Sequence, residues 1–177
     1  MFAKYLSHMA LFAILIMASS FGLAASSIWA NEELGVCYPT VDSFMETTYG
    51  SDYSQDENIK IFPAPGTIEG RYMIAVDDTP SINQTHYLLD NSSGQVCVVL
   101  FAPFSSSFEL NLKKDGSLPE KIKTSNTAPA GHSSFEVVFN LDRKKNIYRP
   151  YKCRSVKYNG KKEEIKVINC ENSFQGL

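Results

Sequence analysis

Four cysteines, two histidines and a dense run of cations are the residues past position 30 with chemistry to offer. Cys37, Cys97, Cys153 and Cys170 are even in number, which in an exported chain points to two disulfides. Zinc competes poorly as an explanation, because no two cysteines are close in sequence and no histidine is near any of them. Four cysteines allow three pairings, and spacing leaves all three open. His132 sits in Gly131-His132-Ser133-Ser134, which lacks the Gly-x-Ser-x-Gly pattern of a nucleophile elbow. A Ser-His-Asp arrangement could assemble in space, but abundant serine makes that a weak signal, and Asp77-Asp78, ahead of Thr79-Pro80, has the look of a strand end rather than half of an acid pair. The chain carries no zinc-protease helix, phosphate loop, dinucleotide fingerprint or calcium loop. The expectation is therefore no catalytic residues, no cofactor and no metal.

The cations are the stronger signal. Between Asp142 and Cys170 there are ten lysines and arginines against Asp142, Glu163 and Glu164, a net charge of +7. Tyr148, Tyr151 and Tyr158 interleave with them, a combination compatible with anionic partners that also offer a surface for stacking. The residues expected to bind are Lys152, Arg154, Lys162, Lys166 and Tyr158. Candidate partners are an acidic protein surface, a polysaccharide or a lipid headgroup; nucleic acid is disfavoured outside the cytosol. The plainer reading is that these lysines form a solvated strand edge that discourages pairing.

These residues need elements to hold them. Thr40 after Pro39 can cap a short helix bearing Val41, Phe44, Met45 and Tyr49 at helical spacing, with Gly50 at its exit. Everything past about Asn58 has strand character. Val96 to Phe101 is apolar on both faces, which predicts a central strand. Phe135, Val137, Phe139 and Leu141 alternate with polar residues as a half-buried strand does. A three-residue loop at Lys114-Asp115-Gly116 would pair Phe108 with Ile122 and Leu112 with Leu118. By the same logic a loop at Tyr158-Asn159-Gly160 would pair Cys153 with Ile165, Tyr151 with Val167 and Arg154 with Glu164. That register puts the four binding cations on one outer face and makes Tyr151, Ile165 and Val167 core. It also puts Cys170 on the opposite alternation from Cys153, so their bonding is not automatic.

Lys4 followed by an apolar run from about Met9 to Ala25 and a small-residue exit is the plan of a secretory signal. The expected organisation is a cleaved signal at 1–30, a segment with a short helix packing on the sheet at 31–57, an antiparallel β domain at 58–170 and a tail at 171–177. No membrane span is expected after signal removal. The fold class is all-β, an antiparallel sandwich or barrel of about eight or nine strands with one N-terminal helix. Asn83 and Asn91 begin glycosylation triplets, which matter only in a eukaryotic source. Charge divides along the chain. Asn31 to Leu110 holds twelve acidic and two basic residues, and Asn111 to Leu177 seven acidic and fourteen basic. The function expected is binding by a secreted or periplasmic domain, as an inhibitor, an immunity or accessory factor or a ligand-binding protein. The alternatives are an assembly component that pairs by its sheet edge and a hydrolase using His132 or His86.

Overall fold

Thr40 opens the helix as its sequence predicts. Its backbone is extended, and its Oγ1 accepts a hydrogen bond from the Ser43 N–H at 3.0 Å, a cap that contributes about 1 kcal/mol. Helix α1 spans Val41–Tyr49 and ends at Gly50, whose φ of 91° only glycine adopts without strain. Phe44 and Met45 form its buried stripe. A nine-residue helix is too short to hold alone, so that stripe must dock on a larger surface.

The structure, a computed structural model, describes residues 33–78, 84–127, 133–159 and 162–170. The expected signal, Asn83 and His132 lie outside those residues. The described chain holds ten strands: β1 Cys37–Tyr38, β2 Ile59–Pro63, β3 Tyr72–Asp77, β4 Gln84–Asp90, β5 Val96–Ser105, β6 Ser107–Glu109, β7 Lys121–Thr127, β8 Ser133–Asp142, β9 Ile147–Asn159 and β10 Lys162–Ile168. They form two antiparallel five-stranded sheets, ordered β1-β5-β4-β3-β2 and β10-β9-β8-β7-β6. The expected eight or nine strands become ten. β1, which contributes two residues and sits beside β5 through the Cys37–Cys97 bond, shows no apolar alternation of its own.

β2 to β5 and β6 to β10 each run as a meander, with β1 beside β5, and the chain passes from the first sheet to the second at Ser106, whose N–H donates to the Ser125 carbonyl at 2.7 Å. Tyr72, Ile74, Val76, Leu88, Leu100 and Ala102 face Ile122, Phe135, Val137, Phe139 and Tyr148 across the sandwich interior. On the far side of the first sheet, Ala75, Tyr87, Leu89 and Val98 receive Phe44 and Met45 of α1. β5 is therefore covered on both faces, which explains its unbroken apolar run. Asp90 ties the layers together. It accepts a hydrogen bond from Asn146 in the β8–β9 turn at 3.0 Å, and Arg71 lies 3.9 Å away. No helix among the described residues is long and apolar enough to cross a membrane.

Two registers test the expected turns. The Lys113 N–H donates to the Ser117 carbonyl at 2.9 Å, closing the three-residue loop with Gly116 at φ 74°. Phe108, however, pairs with Thr124 rather than Ile122. Residues 110–120 leave the ladder, and a slip of two positions preserves the face while changing the partner.

The second expected register is overturned. Asn159 pairs with Lys162, Val156 with Ile165, Arg154 with Val167 and Cys153 with Ile168, so the strands are displaced by three positions from the expected register. An odd displacement exchanges the faces of one strand relative to the other. Ile165 and Val167 consequently leave the core and stand 54% and 64% exposed, and Tyr151 is 65% exposed. The same displacement brings Cys170 onto the alternation of Cys153, and the two are bonded, as are Cys37 and Cys97.

Candidate binding face on the second sheet

Face assignments follow from β8. Phe135, Val137 and Phe139 are core, so Ser134, Glu136, Val138 and Asn140 point outward. Opposite these stand Val156, Arg154, Lys152 and Arg149 on β9, and Asn140 and Val138 meet Lys121 and Lys123 on β7. One outer face thus gathers Lys121, Lys123, Arg149, Lys152 and Arg154 from two strands flanking β8. Glu136 lies among them, 2.8 Å from Lys123 Nζ and 3.1 Å from Arg154. It pairs with two of these cations, cancelling one unit of charge, and leaves Lys121, Arg149 and Lys152 exposed.

Tyrosines sit within this face. Between Val138 and Phe139 the ladder slips by one, and Tyr151 is the extra residue on β9. Its ring carries the Lys121 ammonium at 5.8 Å from the centroid. Tyr158 is 43% exposed farther along, its hydroxyl 3.4 Å from that of Ser134. Past Val156 the hairpin is uncovered on both faces, since Lys157 to Asn159 and Lys162 to Val167 are all exposed.

Of the five residues expected to bind, the structure keeps Lys152, Arg154 and Tyr158 on the outer face. Lys162 and Lys166 pair with Asn159 and Ser155 and so belong to the other side of the hairpin. The expected Arg154–Glu164 pair is replaced by Arg154–Glu136, and Glu164 instead opposes Lys157. Lys121, Lys123 and Arg149 are members of the face that sequence reasoning misses. The alternation Lys121-Ile122-Lys123-Thr124 is the available signal, but only strand order brings it beside β9. Arg143 pairs with Glu120 at the β8–β9 turn, away from this face.

His86 has a serine neighbour, and both are buried. Its Nδ1 lies 2.9 Å from Ser105 Oγ, and its ring stacks on Phe108 at 5.1 Å. The Ser105 hydroxyl also lies 3.2 Å from the Ala102 carbonyl, to which it donates. Ser105 is also 1% exposed, and burial pushes the imidazole pKa down to about 4. The pair closes the polar end of the sandwich interior.

Asp78 likewise has a fixed role. It accepts from Gln84 at 2.7 Å and from Lys60 at 3.3 Å, which holds its carboxyl below the usual range. Among the described residues, no three His, Cys, Asp or Glu side chains group to hold a metal ion. Asn91 is exposed in its turn. Comparison of the chain with known protein families, with curated proteins and with solved structures finds no match.

Proposed function

We propose that the protein is an exported binding domain that takes an acidic polysaccharide on the outer face of its second sheet. The observation that carries this reading is the convergence of Lys121, Arg149 and Lys152 around exposed Tyr151. Cations supply attraction for carboxylate or sulfate groups, and a tyrosine ring beside them offers an apolar plate for the face of a sugar. Two disulfides bond all four cysteines, as suits an oxidising compartment. An open sheet face suits an extended polymer better than a small molecule, which would need a concave site.

The test is titration of the protein with heparin as a sulfated polysaccharide, beside neutral dextran, at several salt concentrations. Heparin should bind with an affinity that falls as salt rises, and dextran should not bind. Arg149→Glu combined with Lys152→Glu should weaken heparin binding about tenfold or more, two exposed contacts each being reversed in sign. Equal affinity in the double variant, or equal binding of dextran, defeats the reading. Anionic vesicles in parallel report whether a lipid headgroup serves instead.

A further inference from the structure

β10 closes one end of the second sheet, and every residue from Lys162 to Val167 is exposed. Among the described residues no strand lies on its other side, so it presents backbone donors and acceptors there to another strand. Its side chains run Lys162, Glu163, Glu164, Ile165, Lys166, Val167 and Ile168. Charges of both signs on one edge have a consequence that a row of lysines would not. They repel a copy of the strand in some registers and attract it in another.

Antiparallel pairing of β10 with a second copy of itself, about a two-fold axis perpendicular to the sheet, keeps each face continuous. Directly opposed residues must then share a face, so the axis passes through a residue. Centred on Glu164, it opposes Glu164 to its own copy and Lys162 to Lys166. Centred on Lys166, it opposes Lys166 to its own copy. Centred on Ile165, it opposes Glu164 to Lys166 twice and Ile165 to Ile165, and it uses all seven residues of β10. Ile165 lies opposite Val156 within its own hairpin. The axis therefore creates an apolar row of Val156, Ile165 and their two copies, with each Val167 diagonal to the other chain's Ile165.

We infer that the protein forms a two-fold dimer by antiparallel β10–β10 pairing centred on Ile165, joining the second sheets into one continuous ten-stranded sheet. This dimer is independent of the polysaccharide reading, although it sets the two cationic faces side by side on the same surface. It covers the exposed apolar pair Ile165 and Val167 and satisfies an open edge with the only occupant whose charge pattern is on the strand itself.

Sedimentation velocity of the unmodified protein, over a hundredfold range of concentration and without polysaccharide, should show a monomer passing to a dimer and no larger species. Lys166→Glu sets a second carboxylate opposite Glu164 of the copy, at two places in the dimer. Within its own hairpin position 166 faces only Ser155, so folding is undisturbed, as an unchanged circular dichroism spectrum should confirm. This variant should dimerise about tenfold more weakly or worse. Glu164→Lys should do the same, since it sets a second ammonium opposite Lys166 of the copy. Mixing the two variants restores a carboxylate opposite an ammonium at both places, and the mixture should form heterodimers where each variant alone does not. A protein that stays monomeric throughout overturns the inference. So does a dimer that Lys166→Glu leaves intact, or a mixture that associates no better than its parts. None of these outcomes touches heparin binding by Arg149 and Lys152, so either proposal can fail alone.

Discussion

A histidine next to a serine invites a catalytic reading, and at the scale of single residues burial opposes it. The neutral form of His86 is the one the fold accommodates. The free imidazole titrates near 6.5, whereas burial holds the folded one at about 4, with Asp78 the nearby charge working in the other direction. Between these values the unfolded chain binds a proton that the folded chain refuses. The stability present above pH 6.5 is therefore lost as pH falls toward 4 and is level below it, an effect of up to about 3 kcal/mol. His86→Gln keeps a hydrogen bond for Ser105 and removes the titration. Melting temperatures of the native protein should fall more steeply than those of His86→Gln between pH 6.5 and 4. Parallel curves would show that His86 is not held neutral. The charge change would be a property of folding and not of a reaction.

At the scale of elements, local chemistry was the legible part. Thr40, the Phe44–Met45 stripe and Gly50 state the helix by capping, periodicity and backbone freedom, and the helix is found at those residues. The apolar run of β5 likewise announced a strand covered on both faces. Register in the last hairpin was not legible, for a physical reason. Alternation fixes register only where one face is buried, and beyond Val156 neither face is covered. Ile165 and Val167 look like core residues and are not. The bulge at Tyr151 further breaks the count on β9. A firmer guide lay in the cysteines, since a Cys153–Cys170 bond requires both on one face and rejects the register expected from a loop at Tyr158-Asn159-Gly160. That bond closes a 17-residue separation, and Cys37–Cys97 closes one of 60 residues. Loop-closure entropy then ranks them. Replacing Cys153 and Cys170 by serine should cost about 3 kcal/mol, and replacing Cys37 and Cys97 about 4 kcal/mol. Denaturant midpoints of the two double variants test the ranking. The reverse order would mean that native contacts around β10, and not chain entropy, dominate its anchoring.

For the whole molecule, the division of charge along the chain becomes a division between layers. The chain crosses at Ser106 from an acidic first sheet to a basic second one, close to the Leu110 boundary where the sequence changes sign. α1 covers the first sheet on the side away from the sandwich interior, so Asp42, Glu46, Asp52, Asp56 and Glu57 are exposed on the acidic layer. Lys121, Arg149 and Lys152 are exposed on the opposite surface. The halves do not cancel through the ion pairs seen. Lys60–Asp78 and Arg71–Asp90 lie within the first sheet's half, and Lys123–Glu136, Arg154–Glu136 and Arg143–Glu120 within the second's. Separated layers of opposite sign produce a field that net charge does not describe. At pH 7 the chain carries a formal net charge of −2, and uniform charge would let it pass a cation exchanger. The layered arrangement predicts retention on that exchanger at low salt, with the second sheet turned toward the matrix. Arg149→Glu with Lys152→Glu should release the protein at much lower salt. Lys60→Glu changes the net charge in the same direction on the acidic layer, and it should shift elution little. A shift from Lys60→Glu half as large as that from the double change, in proportion to the charge removed, would mean that net charge alone governs retention. Orientation by the basic sheet would then be lost as an explanation of partner choice.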